Sequence, residues 1–362
     1  MSIRNNRRHR IFIVFLSFIL IFGYECLIAS SNILRASEEA KKTLTIYNWE
    51  DYIGSETIAG FEKETGIHVK EVFFKDEEET LGAVQSEPGA YDLVVTSDDM
   101  VREMREARLL SKLEVSKIPN LKYINKKYLN LPHDPEQKYS VPYLWGTTGL
   151  AVNKKYITEN SDSWKVLFDE RYKGKIAVLS DGFEVIGNAL KVMGLSINTT
   201  DPEKLAEAKE MLLKQKPLLR GYLDVNTIKD MMIKEKLWAA QVYSGEGLVA
   251  ADENENIEYV IPKEGAPIYI DMFVLLRDAR NKDEAHVFLN YILRPEVNAK
   301  IASELWYATA NKAAEPFMDP EVIQSPSVYP SPEVMARCEF YKDIGKATLV
   351  MNKIWNEVQI AE

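Results

Sequence analysis

The chain has 362 residues and a formal net charge of −10, with 46% hydrophobic and 28% charged residues. This is the composition of a folded globular protein that is long enough for two domains. The acidic balance argues against nucleic acid as a partner and is compatible with a cationic ligand.

Residues 1–30 predict an export signal or an N-terminal anchor. Four arginines lie within the first ten residues, and residues 11–24 carry no charge. An apolar run of this length matches the core of a secretory signal and is short for a membrane span. We therefore expect a periplasmic or otherwise extracytoplasmic protein. Two variants stay open, an uncut anchor or a lipid tether on Cys26.

The rest of the chain alternates strand-like and helix-like segments, which predicts an α/β fold with largely parallel strands. A second unit is expected after residue 146, and residues 331–361 are predicted to be mostly helical. The predicted strands are 45–49, 69–74, 91–96, 175–180, 238–243, 257–262 and 268–276. The predicted helices are 55–65, 75–84, 100–107, 181–193, 202–215 and 283–293.

The run Trp49-Glu50-Asp51-Tyr52 follows the first predicted strand and precedes a predicted helix. Open α/β sheets hold their ligands at the carboxyl ends of strands. Aromatic faces together with negative charge suit an organic cation. An ordinary strand-to-helix loop with one buried tryptophan would explain the same residues.

Two further pairs of residues have the chemistry of a cation site. Asp181 and Glu184 open a predicted helix, where they form either a capping box or a pair of carboxylates that face a cleft. Tyr269 and Asp271 are two apart on a predicted strand, so their side chains share a face. A surface-facing pair on an edge strand is the alternative for the second pair.

The sequence lacks the short motifs of common enzyme and metal sites. We find no G-x-S-x-G, H-E-x-x-H, C-x-x-C or G-x-x-x-x-G-K run, and the four histidines are scattered. We therefore expect no catalytic residues, no metal and no cofactor. Hydrolysis by paired acids stays open, because two carboxylates are sufficient for glycosidase chemistry.

Several motifs occur in one order along the chain, and together they resemble the spermidine/putrescine-binding proteins of bacterial ABC importers. The resemblance covers about residues 43–360 and implies the two-lobed fold of type II periplasmic binding proteins. Lobe one would comprise residues 42–147 with 272–315, and lobe two residues 148–271 with 316–362. The motifs are Asn48-Trp49, 61–67, 90–95, 139–146, 262–265 and 293–297.

The resemblance implies a substrate-binding cleft lined by aromatic and acidic residues, with hinges near Gly146 and Ile270. Four positions depart from the family's pattern, namely Glu50, Asp99, Tyr243 and Tyr341, and they make the choice of amine the open question. The positions that match the pattern are Trp49, Asp51, Tyr52, Asp181, Glu184, Tyr269, Asp271 and Tyr307.

The implied function is capture of a polyamine and its delivery to the membrane permease of an ABC transporter, with a monomer expected. Spermidine is favoured over putrescine, because a diamine would leave one carboxylate unpaired. In this hypothesis Asp181 takes the internal amine, Glu184 and Asp271 hold one end, and Asp51 helps to hold the other. The alternatives are a polyamine sensor, a binding protein for another organic cation, and the acid-pair hydrolase.

Overall fold

The computed structural model describes residues 42–50, 52–74 and 77–361. The predicted signal or anchor and Asp51 therefore lie outside the described residues. The strands are β1 Thr43–Trp49, β2 His68–Phe74, β3 Leu93–Ser97, β4 Ser140–Asn153, β5 Ile176–Leu179, β6 Leu219–Leu223, β7 Ala239–Tyr243, β8 Ile257–Val260, β9 Pro267–Leu275, β10 Ala308–Thr309 and β11 Glu339–Phe340.

Helices separate most of these strands, and 3₁₀ turns fill several connections. The helices are α1 Ser55–Thr65, α2 Glu77–Ser86, α3 Asp98–Glu106, α4 Gly182–Val192, α5 Pro202–Gln215, α6 Val225–Ile233, α7 Ser244–Glu253, α8 Lys282–Ile292, α9 Pro295–Glu304, α10 Pro320–Ile323, α11 Pro332–Met335 and α12 Ala347–Ile360.

The long strand β4 joins two sets of strands. Its residues up to Thr147 pair with β9, whereas its residues from Thr148 onward pair with β7 and β8. The first set is β2-β1-β3-β9, and the second set continues through β7-β5-β6. Every residue of β4 is buried, so this connection is part of the core. The division into lobes at residue 147 stays a prediction.

The expectation of largely parallel strands is wrong, because the sheet is mixed. The pairs β1–β2, β1–β3, β5–β6, β5–β7 and β9–β11 are parallel, whereas β4 runs antiparallel to β7, β8, β9 and β10, and β3 runs antiparallel to β9. Apolar residues on both faces suggested parallel strands. The same pattern arises in β9, which is almost wholly buried although it pairs antiparallel with two neighbours.

The tail is also less helical than predicted. The short strand β11 interrupts it, pairs with β9 and leads directly into Tyr341. Two residues of strand carry too weak a pattern to be recognised in a sequence, and their pairing partner is distant along the chain. This pairing brings the tail beside the strand that carries Tyr269 and Asp271.

A buried carboxylate ties the loops around the first strand set. Asp92 accepts hydrogen bonds from the backbone nitrogens of Thr45, Arg280 and Asn281, each at 2.9 Å, and from Nδ2 of Asn281 at 3.0 Å. The side chain is 2% exposed. Asp92 therefore fixes the start of β3 relative to β1 and relative to the loop that follows β9.

We predict that Asp92→Ala lowers the free energy of unfolding by about 2–4 kcal/mol, because it leaves several buried donors unpaired. Urea denaturation followed by circular dichroism measures the change. The control is Asp162→Ala, which removes an exposed ion pair with Lys263 and should cost at most about 1 kcal/mol. Equal losses in the two variants would contradict this account of Asp92.

Candidate ligand-binding cleft

Seven of the twelve predicted site residues lie at or just after the carboxyl ends of four strands. Trp49, Glu50 and Tyr52 lie at the end of β1, Asp99 follows β3, Asp181 and Glu184 follow β5, and Tyr243 ends β7. The strand β9 adds Tyr269 and Asp271, and its Asp271 pairs in register with Ser97 at the end of β3. Both strand sets thus contribute to one cleft, as expected where ligands bind in open sheets.

Asp271 lies at the centre of a first group of side chains, the inner cluster, which is Tyr52, Glu246, Tyr269, Asp271 and Tyr307. The hydroxyl of Tyr52 donates a hydrogen bond to Oδ2 of Asp271, and both residues are buried. Burial, followed by the charge of Asp271, raises the pKa of Tyr52 well above its usual value. Tyr52 therefore stays protonated and supplies a hydrogen bond to the carboxylate.

The position of Tyr52 is itself fixed by aromatic neighbours. The hydroxyl of Tyr143 donates to the backbone oxygen of Tyr52 at 3.0 Å. The Tyr52 ring meets those of Tyr143 and Tyr307 edge to face, with centroids 5.7 Å and 5.4 Å away. Such contacts restrain the ring and keep its hydroxyl directed at Asp271.

Glu246 is a member of the inner cluster that the sequence analysis missed. The hydroxyl of Tyr307 donates to its Oε2 at 3.1 Å. Burial raises the pKa of Glu246, and hydrogen bonds from the backbone and from Tyr307 oppose the shift. Its sequence signal is an acid in the first turn of a helix that follows a strand, the same signal that identified Glu184.

The second group, the outer cluster, is Asp99, Asp181, Glu184, Tyr243 and Tyr341. Asp181 caps α4, since its Oδ1 accepts from the backbone nitrogens of Phe183 at 2.8 Å and Glu184 at 3.2 Å. The N-cap predicted from the sequence is therefore present. Burial, followed by the charge of Asp181, raises the pKa of Glu184 well above its usual value, and Asp99 adds to the effect.

Asp99 has an internal counter-ion that the sequence analysis did not anticipate. Arg102, one turn later on α3, lies 2.9 Å from its Oδ1. Burial nevertheless raises the pKa of Asp99, and the charge of Asp343 acts in the same direction. The charge that Asp99 can offer a ligand is therefore partly compensated within its own helix.

Tyrosine rings connect the two clusters. The centroids of Tyr243 and Tyr269 are 5.2 Å apart, and those of Tyr269 and Tyr307 are 6.3 Å apart, with rings steeply inclined in both pairs. The two acidic clusters are thus linked by a chain of aromatic rings. This arrangement suits an extended organic cation with separated charges.

The first loop is the part of the predicted site that the structure describes least. Trp49 is half-buried and packs on Phe74, with ring centroids 4.4 Å apart, and Glu50 is exposed. Asp51 lies outside the described residues. The roles of these three residues in ligand binding, like those of the other predicted site residues, stay predictions.

Within residues 42–50, 52–74 and 77–361, no group of three or more His, Cys, Asp or Glu side chains is arranged to hold a metal ion. In the same ranges no helix is both long enough and apolar enough to cross a membrane.

The two-lobed fold of type II periplasmic binding proteins, which the resemblance implied, is confirmed by the matching family model and by the solved structures of polyamine-transporter binding proteins. The chain belongs to the bacterial extracellular solute-binding protein family, whose model matches residues 56–330. Its resemblance to spermidine/putrescine-binding proteins is also confirmed, because its relatives carry those names.

A putrescine-binding periplasmic protein of Escherichia coli (strain K12) is 35% identical over 339 residues, covering 88% of this chain and 92% of that protein. A spermidine/putrescine-binding periplasmic protein of Salmonella typhimurium is 33% identical over 319 residues, covering 88% and 91%. A solved structure from Listeria monocytogenes, assigned to a spermidine/putrescine ABC transporter, matches with a TM-score of 0.82 and 36% identity over 88% of this chain and 99% of that one.

Close packing of α7 against Tyr307 generates a test of the inner cluster. A Cβ on Gly245 would lie 1.9 Å from Cε2 of Tyr307. We predict that Gly245→Ala displaces the ring and lowers the free energy of unfolding by about 1–3 kcal/mol. The matched control is Gly82→Ala on α2, where a Cβ meets nothing within 4 Å.

The control should raise stability by about 0.5–1 kcal/mol, because alanine is the better helix former. Chemical denaturation of both variants gives the comparison. If Gly245→Ala is as stable as the control, α7 does not pack on Tyr307 as described.

Proposed function

We propose that this protein is the extracytoplasmic substrate-binding subunit of a polyamine ABC importer and that it binds spermidine or putrescine. The observation that carries the proposal is the pair of acidic clusters joined by the rings of Tyr243, Tyr269 and Tyr307. The names of relatives that align with 88% of the chain support the same ligand class.

A polyamine requires a counter-charge for each ammonium group and an apolar surface for the methylenes between them, and the proposed complex provides both. Each ammonium group must find an anion or a carbonyl, because an unpaired charge in a dry cleft is very costly. Each methylene gains roughly 0.8 kcal/mol when it leaves water. In the proposed complex Asp271 and Glu246 hold one terminal ammonium, Asp181 and Glu184 hold a second amine, and the tyrosine rings cover the methylenes between them. This replaces the sequence hypothesis that Glu184 and Asp271 hold the same end, because Glu184 lies beside Asp181 whereas Asp271 lies beside Tyr52.

The first loop completes the proposed site. Trp49 supplies a further aromatic face, and Glu50 with Asp51 supplies charge for the remaining ammonium. Two acidic clusters and an acidic first loop favour the triamine spermidine, since putrescine would leave one of these groups without a partner. Tyr341, beside Glu184, bounds the outer end and sets the length of amine that fits.

Capture requires closure of the cleft around the amine. A ligand that contacts both strand sets only in the closed form shifts the equilibrium towards that form. The closed protein then docks on the membrane permease as a monomer, and the chain itself catalyses no reaction. The N-terminal segment would export it and, if uncut or lipidated at Cys26, would tether it.

Calorimetric titration of the ligand-free protein, residues 31–362, with putrescine, cadaverine, spermidine and spermine tests the proposal. We expect one-to-one binding, with spermidine bound most tightly. Binding of none of these amines would overturn the proposed ligand class. A preference for putrescine would support the proposed ligand class and contradict the expected order of affinities.

We predict that Asp271→Asn weakens amine binding by about 2–5 kcal/mol, because a terminal ammonium loses its buried counter-ion. The matched control is Asp278→Asn, just beyond the same strand, where the carboxylate pairs at the surface with Arg277. The control should bind as the wild type does. An unchanged affinity in Asp271→Asn would remove Asp271 from the site.

Glu246 allows a separate test of the inner cluster. We predict that Glu246→Gln lowers the affinity about tenfold or more, because charge-assisted hydrogen bonds exceed neutral ones by about 1 kcal/mol or more. The control is Glu253→Gln, an exposed position on the same helix. Equal affinities for the two variants in calorimetry would show that Glu246 does not face the ligand.

A further inference from the structure

Glu184 is a buried carboxyl that the surrounding protein satisfies only in part. Its side chain is 4% exposed, and its Oε2 has no hydrogen-bond partner among the described residues. The hydroxyl of Tyr341, which lies beside it, is also buried and has no hydrogen-bond partner in the described part of the chain. Buried polar atoms are normally paired, so two unpaired ones at the same end of a cleft point to a ligand group.

The groups that face Glu184 add negative charge rather than remove it. Asp181 faces it from the start of its own helix, and Asp99 faces it from α3 across the cleft. On α3 the cation Arg102 is paired with Asp99. Tyr341, Tyr259 and the hydroxyl of Thr148 complete the surroundings, and of these the Thr148 hydroxyl favours the ionised form.

Burial and like charges both favour the neutral form of a carboxyl. An ammonium group placed among Glu184, Asp181 and Tyr341 would reverse this balance, because it supplies the missing positive charge and the missing hydrogen-bond donors. The inner cluster differs in this respect, since tyrosine hydroxyls already donate to Asp271 and to Glu246.

We propose that Glu184 carries a proton in the ligand-free protein and loses it when an ammonium group of the ligand binds beside it, so that polyamine binding releases a proton. The inference rests on the proposed function for its ligand. The step conserves atoms and charge: the O–H bond of the Glu184 carboxyl breaks, the proton passes to solvent, and the carboxylate pairs with the ammonium, which keeps its own protons.

The proposal predicts that the affinity for the amine decreases at acidic pH. Protons compete with the amine, so the affinity falls as the pH falls below the point at which Glu184 titrates in the free protein. With one proton released, the fall approaches about tenfold per pH unit. An acidic exterior would therefore weaken capture, and a neutral one would favour it.

Calorimetry in two buffers of different ionisation enthalpy, between pH 5.5 and 7.5, counts the protons released by spermidine or putrescine binding. Amines of the lysine type titrate near pH 10.4, so their own contribution in this range is small. We expect net release from the wild type, and an affinity that falls towards pH 5.5. Binding without proton release would overturn the inference and leave the proposed function intact.

Three variants test which carboxyl group releases the proton. Glu184→Gln should abolish the release and flatten the pH dependence. Asp181→Asn keeps a good helix cap and removes a like charge, so it should reduce the release at a given pH without abolishing it. Glu246 is the competing source of the proton, because burial raises its pKa as well, and Glu246→Gln should retain the release if Glu184 is the group that loses it. Loss of the release in Glu246→Gln and its retention in Glu184→Gln would overturn the assignment to Glu184.

A ligand-free measurement separates this inference from the proposed function. Carboxyl-carbon NMR of the wild type and Glu184→Gln gives the midpoint for Glu184 directly. We expect a midpoint well above the ordinary glutamate value of about 4.3. An ordinary midpoint would overturn the inference even if amines bind, whereas an elevated midpoint without binding of any amine would overturn the proposed ligand instead.

Discussion

The cleft depends on holding several carboxylates close together in surroundings that exclude much of the water. Burial and like charges oppose ionised acids, so each carboxylate needs its own source of compensation. Asp271 and Glu246 receive tyrosine hydroxyl donors, Asp181 receives backbone nitrogens of α4, and Asp99 receives Arg102. The surrounding strands and helices are positioned so that each of these carboxylates meets its partner.

The mixed sheet brings these carboxylates and their partners together. Because β4 pairs with β9 up to Thr147 and with β7 from Thr148, the carboxyl ends of strands from both sets face one region. The strand β9 brings Asp271 into register with the end of β3. An all-parallel sheet would place helices on every connection, whereas two long antiparallel strands let the chain pass between the sets with little intervening structure.

The fold class and several local features of the candidate site could be predicted from the sequence because the signals were local or repeated. Tyr269 and Asp271 lie on one strand as their spacing predicts, and Asp181 caps its helix as its position predicts. Glu246 and the Arg102 partner of Asp99 were missed, because their roles depend on contacts with groups distant in sequence or on a pairing one helical turn away. The strand directions were misjudged, since burial on both faces does not distinguish parallel from antiparallel pairs.

The two ends of the cleft are prepared differently for a ligand. At the inner end, Tyr52 and Tyr307 already donate to the carboxylates, so an ammonium group adds charge to a hydrogen-bonded arrangement that exists without it. At the outer end, Oε2 of Glu184 and the hydroxyl of Tyr341 have no hydrogen-bond partner among residues 42–50, 52–74 and 77–361, and the nearby charge of Asp181 repels an ionised Glu184. In the mechanism proposed above, ionisation of Glu184 accompanies binding at the outer end, whereas the acids of the inner end already accept hydrogen bonds that stabilise their charge. An amine that reaches both ends gains the full attraction of the site, whereas one that reaches only the inner end leaves the outer acids in their ligand-free state.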